Sequence, residues 1–230
     1  MNFEEKEHSF LNLKTLKEQV YEYLREQIEK GIIKPGSKIN MEETSRKLGV
    51  SKTPLRDALI QLETEGFVTI IPRKGIVVNG LTMEDIKNYY QIIGALESAA
   101  LLSVAEKLDE AKITQMEQLN REMKEAIEAD NFDLYYEKNL KFHNTYLYLC
   151  GNRELIKIVE SRKKRLYDFP RKKGFIKEWE VASIGEHQQI VEHLKKGEFK
   201  KAAEYIRDVH WSFEVQKKFI VKYYEFREKS

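Results

Sequence analysis

One stretch constrains this chain more than any other: Ser51-Lys52-Thr53-Pro54-Leu55-Arg56-Asp57-Ala58-Leu59-Ile60-Gln61-Leu62-Glu63-Thr64-Glu65-Gly66. Leu55, Ala58, Leu59 and Leu62 recur at helical spacing and make one apolar face. Ser51 suits the N-cap, because its hydroxyl can accept a bond from a free amide of the first turn. Pro54 falls in that turn, where a missing N–H costs little. Gly66 suits the stop. Lys52, Thr53 and Arg56 then point outward from the N-terminal end. Two cations and a hydroxyl there are what phosphates and base edges in a major groove require. An ordinary amphipathic helix with a solvated face has the same pattern, so the neighbouring elements decide.

Those neighbours complete a known arrangement. Leu16, Val20, Leu24 and Ile28 predict an amphipathic helix over Leu13–Lys30, ended by Ile32-Ile33-Lys34-Pro35-Gly36. Asn40 and Glu43 resemble a capping box for a short helix reaching Leu48, and Gly49 supplies the turn into Ser51. After Gly66 the period becomes strand-like: Phe67–Ile71 and Ile76–Val78 flank the basic turn Pro72-Arg73-Lys74-Gly75. Three helices and a two-stranded hairpin with a basic tip read as a winged helix-turn-helix. A net charge of +2 excludes a general polycation, so any nucleic-acid surface is a local patch.

The run Gly36-Ser37-Lys38-Ile39, then Leu48 to Leu59, then Leu62 to Val68 resembles the DNA-binding domain of GntR-type bacterial transcription regulators. The resemblance covers residues 12–80, after a loose tail at 1–11. It implies operator contacts from Ser51, Lys52, Thr53 and Arg56. It also implies that Arg73, Lys74 and Gly75 of the wing reach the adjacent minor groove or its phosphates. Glu42 stands where several relatives carry a DNA-contacting arginine; Arg46 or Lys47 is the substitute.

Beyond Asn79-Gly80 the chain reads as helix throughout, over residues 81–230. Thr82 caps a helix to Leu108. Asp109 caps the next, with Ile113, Met116, Leu119, Met123 and Ile127 on one face. A third runs from Phe132 to Leu149 and a fourth from Glu154 to Tyr167. Asp168–Gly174 is a break. Helix resumes near Ile176, with a second start at a Ser183/Glu186 capping box, and a last helix runs from Glu198 to Phe226. Lys163-Lys164, Lys172-Lys173 and Lys217-Lys218 read as solvated faces. The most apolar run, Ile92–Ala105, contains Glu97 and is too short to span a bilayer. The single cysteine, Cys150, excludes an internal disulfide and reads as a small buried hydrophobe. With an N-terminus unlike a signal peptide, these features lead us to expect a cytoplasmic protein without a membrane partner.

The order of these helices resembles the FCD ligand-binding and dimerisation domain, whose marker is Asp-x3-His on one helix and single histidines on two later ones. Here it reads Asn139-x3-His143, Glu186-His187 and His210. The resemblance implies that these side chains bind a divalent metal, zinc or nickel by the preference of imidazole. Asn139 replaces the usual aspartate and brings no charge. Two outcomes are open: a weaker three-histidine site, or an abandoned site with a polar, water-filled core. His193 and His8 are assigned to neither.

By the same resemblance the effector is a small organic acid. Relatives carry an arginine four residues before the Glu of a Leu-Glu pair; here the pair is Leu96-Glu97 and the position is Ile93. Arg165, and secondarily Arg162, are the candidate carboxylate holders, against an ordinary surface role beside lysines; Tyr146, Tyr89 and Tyr90 are candidates to line the cavity, against a core role, which the residue type favours. The expected protein is a homodimeric, ligand-responsive transcription regulator on a pseudo-palindromic double-stranded operator, and not an enzyme. The alternatives are a metal sensor, and a metal-dependent hydrolase using Glu186 or Glu97 as base.

Overall fold

The computed structural model describes residues 14–167 and 175–224. The tail, the break at 168–174 and the end of the last helix lie outside the described residues. The chain divides between Leu81 and Thr82 into two compact units.

In the first unit, Thr15 caps α1 (Leu16–Glu29) in a reciprocal box with Glu18. Val20, Leu24 and Ile28 are buried as the periodicity requires, but Leu16 is exposed and Tyr21 takes a buried place instead. Asn40 alone caps α2 (Met41–Leu48), accepting from the amides of Glu42 and Glu43. Gly49, at φ 66°, adopts the left-handed conformation that ends α2 and turns the chain into α3 (Lys52–Thr64). Ser51 holds the N-cap position of α3 without a side-chain capping bond, so the expected hydroxyl cap is not made. Leu55, Ala58, Leu59 and Leu62 are fully buried. With Leu24, Ile28, Phe67 and Val78 they form the core of this unit.

The sheet has three strands, not two. β1 (Lys38–Ile39), β2 (Val68–Ile71) and β3 (Gly75–Val78) are antiparallel in the order β1-β3-β2. Two residues are too few to show alternation, which is why β1 left no signal in the sequence. At the wing the Lys74 amide donates to the Ile71 carbonyl at 3.0 Å. This tight turn sets Arg73 at φ 63° and Gly75 at φ 106°.

The second unit is a helical bundle. Thr82 caps α4 (Met83–Ser103) in a box with Asp85, and Asp109 caps α5 (Glu110–Glu128). Next come α6 (Phe132–Leu147), a 3-10 turn (Tyr148–Cys150), and α7 (Arg153–Tyr167) after Gly151 at φ 66°. Then follow α8 (Lys177–Lys195) and α9 (Phe199–Tyr205). A wide π-helical turn (Ile206–His210) precedes α10 (Phe213–Tyr224). None of the described helices is long and apolar enough to cross a membrane.

Three expectations need correction. α4 stops at Ser103, short of Leu108. Ser183 does not start a helix: it is buried inside a continuous α8, and Glu186 bonds to other helices instead of to a cap. The last helix is interrupted. The π turn inserts extra residue width, so the consecutive His210 and Trp211 are both buried. Gly94 of α4 makes room for this turn; a Cβ there would sit 3.0 Å from Trp211 Cβ and 3.4 Å from the Arg207 carbonyl oxygen.

Candidate metal centre and nucleic-acid interface

The bundle brings together histidines from three segments. α6 supplies His143, with Asn139 one turn earlier on the same face; α8 supplies His187; the π turn supplies His210. One nitrogen from each imidazole lies within 4.8 Å of the other two. Nε2 of His143 and Nε2 of His187 face each other at 3.2 Å. Asn139 is buried, and among the described residues its Oδ1 has no hydrogen-bond partner; nor has His187 Nδ1. His193 pairs with Glu198 instead, away from the cluster.

Two carboxylates back the imidazoles. Glu97 Oε2 lies 2.9 Å from His143 Nδ1 and also accepts from Tyr146 Oη at 2.6 Å and Trp211 Nε1 at 3.0 Å. Glu97 Oε1 pairs with Lys163. On the other side, Glu186 Oε2 lies 2.7 Å from His210 Nδ1. Gln216 Nε2 donates to Glu186 Oε1 at 2.7 Å, and Trp179 Nε1 donates to Gln216 Oε1 at 2.9 Å. A carboxylate only accepts, so both histidines present Nδ1–H backward and Nε2 as an acceptor forward, and His143 Nε2 takes its hydrogen bond from His187 Nε2.

Charge follows from this packing. Burial, with Lys163 nearby, pushes the His143 imidazole down to about 4. Burial and the neighbouring His210 and His143 take His187 well below its ordinary value. Burial opposes the charge on Glu97, but Lys163 and His143 outweigh it and hold the carboxyl well below the usual range. Burial and Glu97 push the Tyr146 phenol well up. At neutral pH, His143 and His187 are therefore uncharged imidazoles, the protonation state that ligates metals.

Lys163 corrects the sequence reading. It is 5% exposed, not on a solvated face, and its ammonium stands over the Trp211 ring at 5.3 Å as well as against Glu97. Arg165 is buried as well, and Lys163 reaches the histidine side through Glu97. Arg162 is half-buried, with its guanidinium 5.3 Å over the Tyr89 ring. Tyr146 is fully buried and bonded to Glu97, and Tyr90 packs edge-on against Trp211. Spacing could have found Glu97 and Lys163. Glu97 shares the buried row of Tyr90, Ile93 and Leu101 on α4, and Lys163 sits one turn after buried Val159.

In the first unit, Ser51, Lys52, Thr53 and Arg56 are exposed at the start of α3, Arg46 is exposed near the end of α2, and Arg73, Lys74 and Gly75 are exposed at the wing tip. Lys52 is paired with Glu42 at 2.9 Å. A phosphate contact from Lys52 would displace this exposed pair, which solvent screening leaves weak.

Comparison with known proteins joins the two halves. Residues 16–78 match the family described as bacterial regulatory proteins, gntR family, and residues 88–209 match the FCD domain. The chain is 30% identical over 190 residues to the uncharacterized HTH-type transcriptional regulator YdhC of Bacillus subtilis (strain 168), covering 82% of this chain and 84% of that one. It is 32% identical over 126 residues to the HTH-type transcriptional repressor RspR of Escherichia coli (strain K12), covering 55% of each. Among solved structures, Escherichia coli McbR/YncC superposes with a TM-score of 0.63 at 20% identity, covering 91% of this chain and 97% of that one. Lar, described as controlling the Listeria monocytogenes agr system, superposes at 0.61 with 22% identity, covering 94% and 100%. At these identities the structural likeness shows the fold alone.

Proposed function

The chain belongs to the gntR family of bacterial regulatory proteins, with an FCD domain as its second half, and from that premise we propose how its DNA binding is controlled. It is a DNA-binding transcriptional regulator; its relatives are regulators, not enzymes. We assign operator contact to Lys52, Thr53 and Arg56, with Ser51 and Arg46 beside them, and wing contact to Arg73, Lys74 and Gly75. A homodimer in the bacterial cytoplasm would set two α3 helices in successive major grooves of a pseudo-palindrome.

Control lies in the bundle. A small organic acid bound there, next to a divalent metal, changes operator affinity. The observation that carries this reading is the convergence of His143, His187 and His210 from three separate segments. The residues fit a divalent ion. The imidazoles of His143 and His187 are uncharged, two of the three are oriented by carboxylates, and the Asn139 oxygen is a buried acceptor without a partner among the described residues. His143, His187 and His210 would hold the ion, with Asn139 as a neutral fourth donor. Nitrogen donors favour zinc or nickel. Once bound, the metal supplies Lewis acidity toward a carboxylate. The chain's own part is to orient the ligands: Tyr146, Trp211 and Lys163 fix Glu97, and Glu97 fixes His143. Arg165, buried on α7, is the first guanidinium to test as a second hold on the acid, and Arg162, which stands over Tyr89, is the second.

Elemental analysis of the untagged, purified chain tests the metal. We expect about one equivalent of zinc or nickel per chain; none after dialysis against divalent ions would defeat the reading. A carboxylate screen then follows operator affinity by gel shift. A metal that acts alone, as in a sensor, would give an operator affinity that responds to chelator with no acid present.

A further inference from the structure

The site described above would bring a divalent cation among four neutral groups: three imidazoles and the amide of Asn139. A buried double charge without an anion in reach is costly. The two carboxylates behind the imidazoles differ in what they have left to give. Glu97 is balanced by Lys163. Glu186 is not: among the described residues its one ion-pair partner is His210. Its other oxygen receives only the neutral amide of Gln216, which is 2% exposed and oriented by Trp179. The Glu186 side chain is 13% exposed, so water screens it weakly.

We propose that Glu186 supplies, from behind His210, the negative charge that Asn139 does not bring to the metal site. It acts through His210 and is a positioning residue: it holds Nδ1–H and leaves Nε2 to the ion. The inference rests on the metal reading above, and it explains how a site with a neutral fourth donor keeps a divalent ion.

Zinc titration by calorimetry on the full-length, metal-stripped chain tests it. Glu186→Gln should weaken zinc binding by about 10- to 100-fold, the usual cost of losing an outer carboxylate. The decisive readout is rescue. Asn139→Asp places a charge inside the ligand set, so it should tighten zinc binding more in the Glu186→Gln background than in the wild type. Equal tightening in both backgrounds would mean that Glu186 only orients His210, and the charge role would fall. Gln216→Lys is a second route that leaves Glu186 in place but gives it a cation, as Lys163 does for Glu97; it should weaken zinc binding as well. Wild-type affinity in Glu186→Gln or in Gln216→Lys would overturn the inference while leaving the metal reading intact. A wild-type chain that takes up no zinc would overturn both.

Discussion

Arg73 occupies a backbone conformation that costs an L-residue about 1–2 kcal/mol, and it does so on the exposed tip of the wing. Such a cost in an exposed turn suggests a use for the Arg73 side chain. Arg73→Gly should leave folding stability equal or higher by up to about 1 kcal/mol, because glycine adopts this φ freely. The same variant should weaken operator binding and flatten its salt dependence by the loss of one phosphate contact. A chemical melt and a gel shift at several salt concentrations separate the two effects; an unchanged salt slope would remove Arg73 from the contacts. Arg56 has no such backbone cost and is simply exposed on α3. Arg56→Ala should lose about 1–3 kcal/mol of specific operator binding with the fold untouched. Equal affinity in a fixed-salt titration would rule the contact out. The residue scale also shows where reading the sequence fell short. Resemblance to the FCD marker singles out Asn139, His143, His187 and His210, and the bundle brings the three histidines together. Lys163 was misread because a lysine beside another lysine suggests water, although its spacing from Val159 places it inward. A charge on a buried helix row is the signal, and its partner Glu97 lies on the buried row of α4.

At the scale of elements, α1, α2, α3, α5 and α7 were legible because each carries its own stop and start: Gly49, Gly151, Asp109 and an apolar face. What was not legible depends on distant packing. The interruption between α9 and α10 has no proline or glycine to announce it. It is held by Trp211, which packs against α4 and donates to Glu97, so the fold alone decides it. The false start at Ser183 has the same origin: the capping-box spelling is present, but Glu186 is drawn to His210 and Gln216. Gly94 tests this view of the π turn. Gly94→Ala would gain helix propensity, about 1 kcal/mol in an open helix. Here the new methyl meets Trp211 Cβ and the Arg207 backbone, so overpacking should reverse the sign and cost about 1–3 kcal/mol. Zinc affinity should fall with it, because His210 belongs to the turn that must shift. A variant as stable as wild type, with zinc binding intact, would show that the turn is free to move and does not set His210.

Over the whole molecule, regulation requires that the bundle and the DNA-binding unit share free energy, and thermodynamics makes that requirement testable from either end. If ligand-loaded bundle and free bundle differ in operator affinity by a factor α, operator DNA must change the ligand's affinity by the same α. For a coupling of about 1–3 kcal/mol, α is about 5–150. Zinc can be measured first, since it needs no knowledge of the organic acid. Zinc should raise the thermal midpoint of the chain, by about 2.7 kcal/mol of stabilisation at a hundredfold excess over its dissociation constant. Chelation should reverse this. Operator affinity is then measured with and without zinc, and zinc affinity with and without operator. Matching ratios other than one would make the metal itself a signal. Ratios of one on both sides would confine zinc to holding the bundle and the acid, and the regulatory coupling would then have to appear when the carboxylate is added. Unequal ratios cannot arise in a closed cycle, so they would point to a change in assembly state, which the dimer reading predicts only at chain concentrations near its dissociation constant.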